Sequence, residues 1–300
     1  MTGMRNGEGE MKKVLVTGGA GGMGRELAVR LAQFGHWVRV FDLPSCDFGP
    51  FEDMARVEIL SGDIRDVDGV RRAVADVDAV IHLAALLPPA SERDRDATMS
   101  VNVGGTAHVV EALEQENRDA HLIFSSSVCV YGDTAREGAP IRVSHARCGL
   151  DCYAESKIEA EGIVFGGTLS YTVLRISGIS VPAFLEPPEV WPFMGDQRIE
   201  FVCRTDAVAA LAACVHVPEA VGKVFNVAGG GTWQMPGSAY VARFSEVMGI
   251  PLEEARYSDR PGWFDWYDTD ASQAVLKYQR TSFDRFLELL ERAIEDALGG

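Results

Sequence analysis

The sequence predicts an α/β fold, a doubly wound parallel sheet with helices on both faces. Two observations lead to this prediction. Short apolar runs alternate with segments of helical periodicity, and a glycine-rich turn joins the first apolar run to the first helical segment. Alternating strands and helices require parallel strands joined by right-handed crossovers. The composition, 47% hydrophobic and 24% charged, is that of a soluble globular protein.

The first strand, residues 14–16, leads into a turn with glycines at intervals of three residues. Gly18 allows the tight turn, Gly21 lets the backbone approach a pyrophosphate, and Gly24 lets the next helix pack closely against the strand. The N-terminus of that helix offers unpaired N–H groups and a partial positive charge to phosphates. This segment therefore predicts a dinucleotide-binding site.

The end of the second strand, residues 37–41, indicates which dinucleotide is bound. Asp42 follows it, and a carboxylate there accepts hydrogen bonds from both ribose hydroxyls of the adenosine but repels a 2′-phosphate. The turn from Gly18 to Gly24 contains no basic residue. The pattern favours NAD over NADP, and Arg25 is the one feature that points the other way.

The remaining elements follow in chain order. The patterns predict strands at 57–60, 78–83, 121–124, 171–176, 199–203 and 223–227, and helices at 66–75, 98–115, 151–165, 205–216, 236–248 and 282–298. Residues 86–95 and 177–200 contain prolines and are expected to be irregular. Asp63 follows the third strand and is expected either to contact adenine or to be a simple turn residue. Small residues at 84 and 85 permit close approach of a cofactor.

Charge and cysteine content exclude several classes of function. The net charge of −16 argues against a nucleic-acid or anionic-membrane partner. We find no signal peptide and no apolar run long enough to span a bilayer, so we expect no membrane association and a cytoplasmic location. The six cysteines form no CxxC pair, which predicts free thiols and no metal site.

A tyrosine and a lysine four residues apart, Tyr153 and Lys157, share one face of a predicted helix. A phenol with a pKa near ~10 is a poor base at neutral pH. An ammonium about 4 Å away supplies about 4 kcal/mol at an effective dielectric near 20, enough to lower that pKa to about 7. Ser127 ends a strand and would hydrogen-bond the substrate oxygen. A lone Tyr-x-x-x-Lys arises by chance, but together with the dinucleotide turn it predicts proton and hydride transfer at a carbinol carbon.

These motifs together resemble the extended short-chain dehydrogenase/reductase family, the NAD-dependent epimerase/dehydratase group. The matching segments are TGGAGGMG (17–24), GDI (62–64), HLAA (82–85), VNVGGT (101–106), FSSSVCVYG (124–132) and YAESK (153–157). The resemblance implies a Rossmann fold with a small C-terminal α/β substrate lobe. It implies catalytic roles for Ser127, Tyr153 and Lys157. It also implies NAD contacts at Thr17, Gly18, Gly21, Met23, Gly24, Asp42, Asp63, Ile64, Leu83, Ala84, Ala85, Asn102, Ser125, Tyr153 and Lys157.

The same resemblance implies a domain division and an assembly. We expect an NAD-binding Rossmann domain at 11–176 and mainly a substrate lobe at 177–300, with 199–228 returning to the sheet, while the polar, glycine-containing residues 1–10 predict a flexible tail. Homodimers are expected to form through the helices near 105–116 and 152–166.

Departures from the family pattern indicate which of the family's activities this chain has. Val128 and Cys129 replace the acidic pair of sugar-nucleotide dehydratases, which argues against dehydration. The serine motif resembles that of UDP-glucose 4-epimerases, but their usual Asn is Ser177 here and their late Arg-Pro-Gly-Asp is Arg260-Pro-Gly-Trp. The expected substrate contacts are Ser127, Arg175, Ser177, Arg198, Arg204 and Arg260, the arginines serving a diphosphate.

Two enzymatic interpretations therefore remain open. The preferred one is a nucleotide-sugar 4-epimerase in which bound NAD is regenerated in each cycle. The alternative is an NAD-dependent dehydrogenase of a smaller sugar, alcohol or hydroxy acid that releases NADH, which the short segment between Arg175 and Asp206 favours. A cofactor-binding sensor without turnover is disfavoured because the serine, tyrosine and lysine are all present.

Overall fold

A computed structural model describes residues 10–299, so the tail predicted for 1–10 lies almost wholly outside the described residues. Eleven strands follow in chain order: β1 Lys13–Thr17, β2 Trp37–Asp42, β3 Val57–Ser61, β4 Ala79–His82, β5 His121–Ser127, β6 Tyr171–Ile176, β7 Gly178–Ser180, β8 Arg198–Ile199, β9 Phe201–Cys203, β10 Lys223–Val227 and β11 Met235–Pro236. Seven of them form one sheet in the order β10-β6-β5-β4-β1-β2-β3. Every pairing from β3 through β5 is parallel, which confirms the predicted fold class.

Helices connect these strands. They are α1 Gly22–Gln33, α2 Val67–Val74, α3 Ala90–Arg93, α4 Arg95–Thr98, α5 Gly105–Glu116, α6 Cys152–Gly166, α7 Arg204–Ala213, α8 Gly237–Met248, α9 Asp270–Leu276 and α10 Phe283–Leu298. The apolar runs predicted from the sequence are buried in the structure. Val14, Leu15 and Val16 of β1 are fully buried, as are Leu27 and Leu31 of α1. None of the helices described between residues 10 and 299 is long and apolar enough to cross a membrane.

The helix predicted at 98–115 is interrupted. Residues Met99–Gly104 form a π-helical segment between α4 and α5. This segment carries Asn102, whose Oδ1 accepts the Leu86 N–H at 2.7 Å and whose Nδ2 donates to the Leu86 carbonyl at 3.1 Å. The wider π turn coincides with the place where this buried side chain bonds the chain that follows β4, and single π turns occur frequently at functional sites.

Three further differences concern short elements. The prediction missed α3 and α9, and the stretch 177–200 is less irregular than expected because it contains β7 and β8. The strand predicted at 199–203 is two strands separated by Glu200, which is fully buried and accepts backbone N–H groups from Gly230 and Tyr267.

The chain divides into two compact units that interleave along the sequence. The first contains the residues up to Ser125, Glu159–Val173 and Leu211–Lys223. The second contains Ser126–Ile158, Leu174–Ala210 and the chain from Val224 onward. The core of the second unit is aromatic, with Trp191, Phe193, Trp233, Phe264 and Phe286 all buried in one cluster.

Candidate functional site

A cavity of about 400 Å³ lies in the first unit, at the carboxyl ends of β1–β4. Its walls are the glycine turn after β1 and the segments that follow β2, β3 and β4. Many of the predicted cofactor residues line it: Gly18, Gly21, Met23, Gly24, Asp42, Asp63, Ile64, Leu83, Ala84 and Ala85. Carboxyl ends of parallel strands are where α/β sheets bind ligands.

Two glycines of the turn, Gly18 and Gly24, leave no room for a Cβ atom. A Cβ atom at Gly24 would lie 2.3 Å from the Gly18 carbonyl oxygen, and one at Gly18 would lie 2.8 Å from the Ala84 backbone nitrogen. Gly18 also has a φ of +68°. The bare backbone and the first turn of α1 therefore face the cavity as a cradle suited to phosphates.

Asp42 has a defined set of donors at the end of β2. Its Oδ2 accepts the Ala20 N–H at 3.0 Å, and its Oδ1 accepts the Leu43 N–H at 2.8 Å and the Cys46 thiol at 3.4 Å. Burial and the neighbouring carboxylate raise the pKa of the Cys46 thiol, so the thiol stays a donor. Since two carboxylate oxygens accept about four hydrogen bonds, Asp42 keeps capacity for a ribose hydroxyl.

Asp63 lies in the turn after β3, and its carboxylate is already paired. Arg65 contacts it bidentately, with Nη2–Oδ2 at 2.6 Å and Nε–Oδ1 at 3.0 Å, and these bonds hold the pKa of Asp63 below its usual range. The Asp63 side chain therefore stabilises the turn, while the residue and Ile64 line the cavity. This arrangement fits the turn role that the sequence left open.

Other predicted cofactor residues support the cavity without lining it. The Thr17 hydroxyl contacts His82 Nδ1 at 2.7 Å and accepts the Ala84 N–H at 3.3 Å. His82 Nε2 contacts the Thr106 hydroxyl at 3.1 Å, so His82 is part of a buried polar chain. Asn102 fixes the backbone of Leu86, which lines the cavity. Ser125 is buried in β5.

The cavity fits the adenosine half of NAD on these observations. The glycine cradle faces phosphate, Asp42 offers an acceptor, and apolar side chains of Met23, Ile64 and Leu87 supply a surface for the adenine ring. Within residues 10–299, no group of three or more His, Cys, Asp or Glu side chains is placed to hold a metal ion.

The second unit carries the predicted catalytic residues. Tyr153 and Lys157 lie on α6, and Lys157 Nζ is 5.7 Å from the centre of the Tyr153 ring. Asp151 accepts the Ala154 N–H at 2.7 Å and so starts the helix. Burial, followed by the charges of Cys129 and Asp151, raises the pKa of Tyr153. The sequence predicted that Lys157 would lower this pKa, whereas burial, which disfavours the phenolate, raises it.

Ser127 ends β5 and begins the tight turn Val128–Tyr131. Its Oγ accepts the Cys129 N–H at 3.2 Å. Because this bond uses a lone pair, the O–H of Ser127 can still donate, as contact with a substrate oxygen requires. The residue is almost fully buried, at 8% exposure.

Two of the arginines predicted to bind substrate are engaged within the protein. Arg175 is buried, and its Nη1 donates to the Tyr131 hydroxyl and to the Val143 carbonyl, both at 2.9 Å. Arg198 forms a bidentate pair with Asp265, Nε–Oδ1 at 2.6 Å and Nη2–Oδ2 at 2.9 Å. Asp265 is fully buried and was not anticipated from the sequence.

The other predicted substrate residues are dispersed within the second unit. Ser177 is buried, and its Oγ has no hydrogen-bond partner among the residues that the structure describes. Arg204 is the first residue of α7, and Arg260 is exposed on a loop held by Ser258. Cys46 and Arg65 also line the cavity and were not predicted from the sequence; their positions after β2 and β3 were the available signal.

Comparisons with known proteins agree with this arrangement. Residues 14–183 match the model of the NAD dependent epimerase/dehydratase family. A 3 beta-hydroxysteroid dehydrogenase/Delta 5→4-isomerase of Mycobacterium tuberculosis (strain H37Rv) is 36% identical over 161 residues, 52% of this chain and 42% of that protein. A UDP-glucose 4-epimerase of Schizosaccharomyces pombe is 34% identical over 180 residues, 55% of this chain and 48% of that protein. The matched part thus spans half or less of the length of these relatives.

A solved structure resembles the whole chain. It is a short-chain dehydrogenase/reductase superfamily protein of Agrobacterium tumefaciens with bound NAD, with a TM-score of 0.80 and 23% identity over 96% of this chain and 98% of that one. At this identity the likeness establishes the fold.

Proposed function

Because the chain belongs to the NAD dependent epimerase/dehydratase family, we propose that it is an NAD-dependent dehydrogenase of a secondary alcohol that carries no nucleoside diphosphate. The pairing of Arg198 with the buried Asp265 carries this proposal. Of the two interpretations that the sequence left open, we thus place the dehydrogenase first.

The charges of the second unit support this substrate class. A diphosphate is bound by arginines with unengaged N–H groups. The Arg198 guanidinium donates hydrogen bonds to the Asp265 carboxylate and to the Glu137 carbonyl, and the Arg175 guanidinium lies over the Tyr131 ring. Releasing Arg198 to a substrate would leave a fully buried carboxylate unpaired, which costs about 3 kcal/mol or more.

The proposed chemistry uses three side chains. Tyr153 accepts the proton of the substrate hydroxyl as the alcohol is oxidised, and Lys157 stabilises the resulting phenolate charge. Ser127 donates its O–H to the substrate oxygen and orients the carbinol. NAD, when bound, supplies the hydride acceptor. Catalysis near neutral pH needs the positive charge of Lys157, since burial alone favours the protonated phenol.

The second candidate is a UDP-sugar 4-epimerase. Two observations favour it: the serine motif at 124–132 and the 34% identity to the S. pombe enzyme. That match covers 55% of this chain. In this candidate Arg204 and Arg260 would meet the nucleotide.

We also propose a cytoplasmic location, because all six cysteines are free thiols, as in a reducing compartment.

We propose in addition a homodimer formed by α5 and α6. Light scattering after size-exclusion chromatography tests the dimer, because a monomeric mass at micromolar concentration contradicts it.

One experiment separates the two activities. The purified protein is denatured and its released nucleotide measured, and the native protein is assayed for NADH formation with secondary alcohols, free sugars, hydroxy acids and UDP-sugars. We expect net NADH from a substrate without UDP and no inhibition of that reaction by free UDP. Interconversion of UDP-sugars without net NADH would establish the epimerase instead. The Tyr153→Phe variant is the control for turnover at this site.

A further inference from the structure

Arg25 is the basic residue closest in sequence to the glycine cradle, in the first turn of α1. A guanidinium at the edge of an adenosine site is a natural ligand for a 2′-phosphate, because its planar fork matches phosphate oxygens. The chain thus contains a group that would favour NADP beside a carboxylate, Asp42, that would exclude it.

The structure shows where the Arg25 guanidinium is held. Its Nε donates to the Ala20 carbonyl at 2.7 Å, and its Nη2 donates to the Asp47 carbonyl at 2.8 Å. The same Nη2 lies 3.3 Å from the Asp47 carboxylate. Asp47 is itself fixed, because its Oδ1 accepts the Gly49 N–H at 2.9 Å.

Ala20 joins this pair to Asp42. Its carbonyl accepts from Arg25, and its N–H donates to the Asp42 carboxylate at 3.0 Å. The two acids and the single arginine therefore share one connected network around the end of β2. Arg25, Asp42 and Asp47 together carry a formal charge of −1. Without the charge of Asp47, Arg25 and Asp42 carry a formal charge of 0.

We propose that Asp47 is a cofactor-specificity residue, which holds Arg25 and cancels its charge so that a 2′-phosphate gains nothing from it. Asp42 excludes the phosphate by repulsion, and Asp47 excludes it by neutralising the charge of Arg25. The inference concerns NAD alone and is independent of the substrate.

The test measures binding of NADH and NADPH to the purified full chain by nucleotide fluorescence, without any substrate. The variant Asp47→Asn keeps an acceptor for the Gly49 N–H and removes the charge. We expect its affinity for NADPH relative to NADH to rise about tenfold, the effect of one partly exposed charge-assisted hydrogen bond. Asp47 is exposed, so the variant is expected to fold.

Two further variants decide the cause. The double variant Asp47→Asn with Arg25→Gln is expected to lose the gain, since the uncompensated charge of Arg25 is its source. Asp53→Asn removes an equal charge at an exposed residue that does not line the cavity and is expected to leave the ratio unchanged. The proposal is overturned if Asp47→Asn leaves the ratio unchanged, if the double variant keeps the gain, or if Asp53→Asn reproduces it.

Discussion

Arg198 and Asp265 form a bidentate ion pair inside the second unit, and each also bonds the segment at 134–137. The Asp265 carboxylate accepts the Thr134 hydroxyl at 2.7 Å, and Arg198 Nη2 donates to the Glu137 carbonyl at 2.9 Å. Asp265 is fully buried, and the Arg198 side chain is 29% exposed. The pair therefore links β8, the loop at 260–267 and the turn near 134.

The first prediction concerns the stability that the Arg198–Asp265 ion pair supplies. Asp265→Leu is expected to lower the free energy of unfolding by about 3 kcal/mol, because it leaves Arg198 without its partner and the Thr134 hydroxyl without an acceptor. The double variant with Arg198→Met is expected to recover part of that loss, since no charge then remains unpaired. Urea unfolding measures both, and additive losses in the double variant would show that the two residues are not coupled.

The second prediction concerns proton transfer on α6. Tyr153→Phe is expected to lower kcat by about 10³-fold, in the range for loss of a general base, while the affinity for NADH stays within about twofold. A base with a raised pKa is active when deprotonated, so alcohol oxidation should increase with pH. Lys157→Met is expected to move the rise to higher pH. A pH–rate profile that is the same for Lys157→Met and the parent would refute the role of the lysine.

The third prediction uses the buried hydroxyl of Ser177, which has no partner among the described residues. Removing an unsatisfied buried polar group relieves a cost of about 1–3 kcal/mol. Ser177→Ala is therefore expected to be as stable as the parent or more stable. If the hydroxyl bonds substrate, KM rises while kcat changes little. A stable variant with unchanged KM would remove Ser177 from the substrate site.

The fourth prediction concerns acid stability through His121 in the first unit. Burial, with a smaller effect of Lys12, lowers the pKa of His121 to about 4, and its Nε2 contacts the Thr172 hydroxyl at 2.9 Å. The unfolded chain binds this proton near the usual value of 6.5. The neutral imidazole therefore contributes stability above pH 6.5 that is lost as the pH falls toward about 4.

His121→Gln provides the matched comparison, because an amide N–H can still donate to Thr172 and does not titrate. The melting temperature of the parent should fall more steeply between pH 6.5 and about 4 than that of the variant. Parallel curves would show that another group controls acid unfolding.

The cavity at the carboxyl ends of β1–β4 could be predicted from the sequence because its walls are local. Each strand end contributes residues within a few positions of its last apolar residue, as Asp42 does after β2 and Ala84 does after β4. Parallel pairing then places these ends together without further information.

The ionic partners could not be predicted in this way. Asp265 lies 67 residues from Arg198, and the sequence pattern suggested only that an arginine was available for phosphate. For Arg25 the sequence likewise indicates only a cation beside the glycine turn, and the structure places Asp47, 22 residues away, against it. The π-helical segment at Met99–Gly104 was missed because its apolar spacing reads as continuous α-helix.

The two hydrogen bonds between Asn102 and Leu86 have a consequence for engineering the loop after β4. The amide of Asn102 pairs with both backbone groups of one residue, as a neighbouring strand would, and so anchors that chain at Leu86. A loop grafted from Pro88 to the start of α3 would leave the wall of the cavity, which includes Leu86 and Leu87, intact. A graft that began at Leu86 would cut the anchor, and the recipient site would lose its shape along with the exchanged segment.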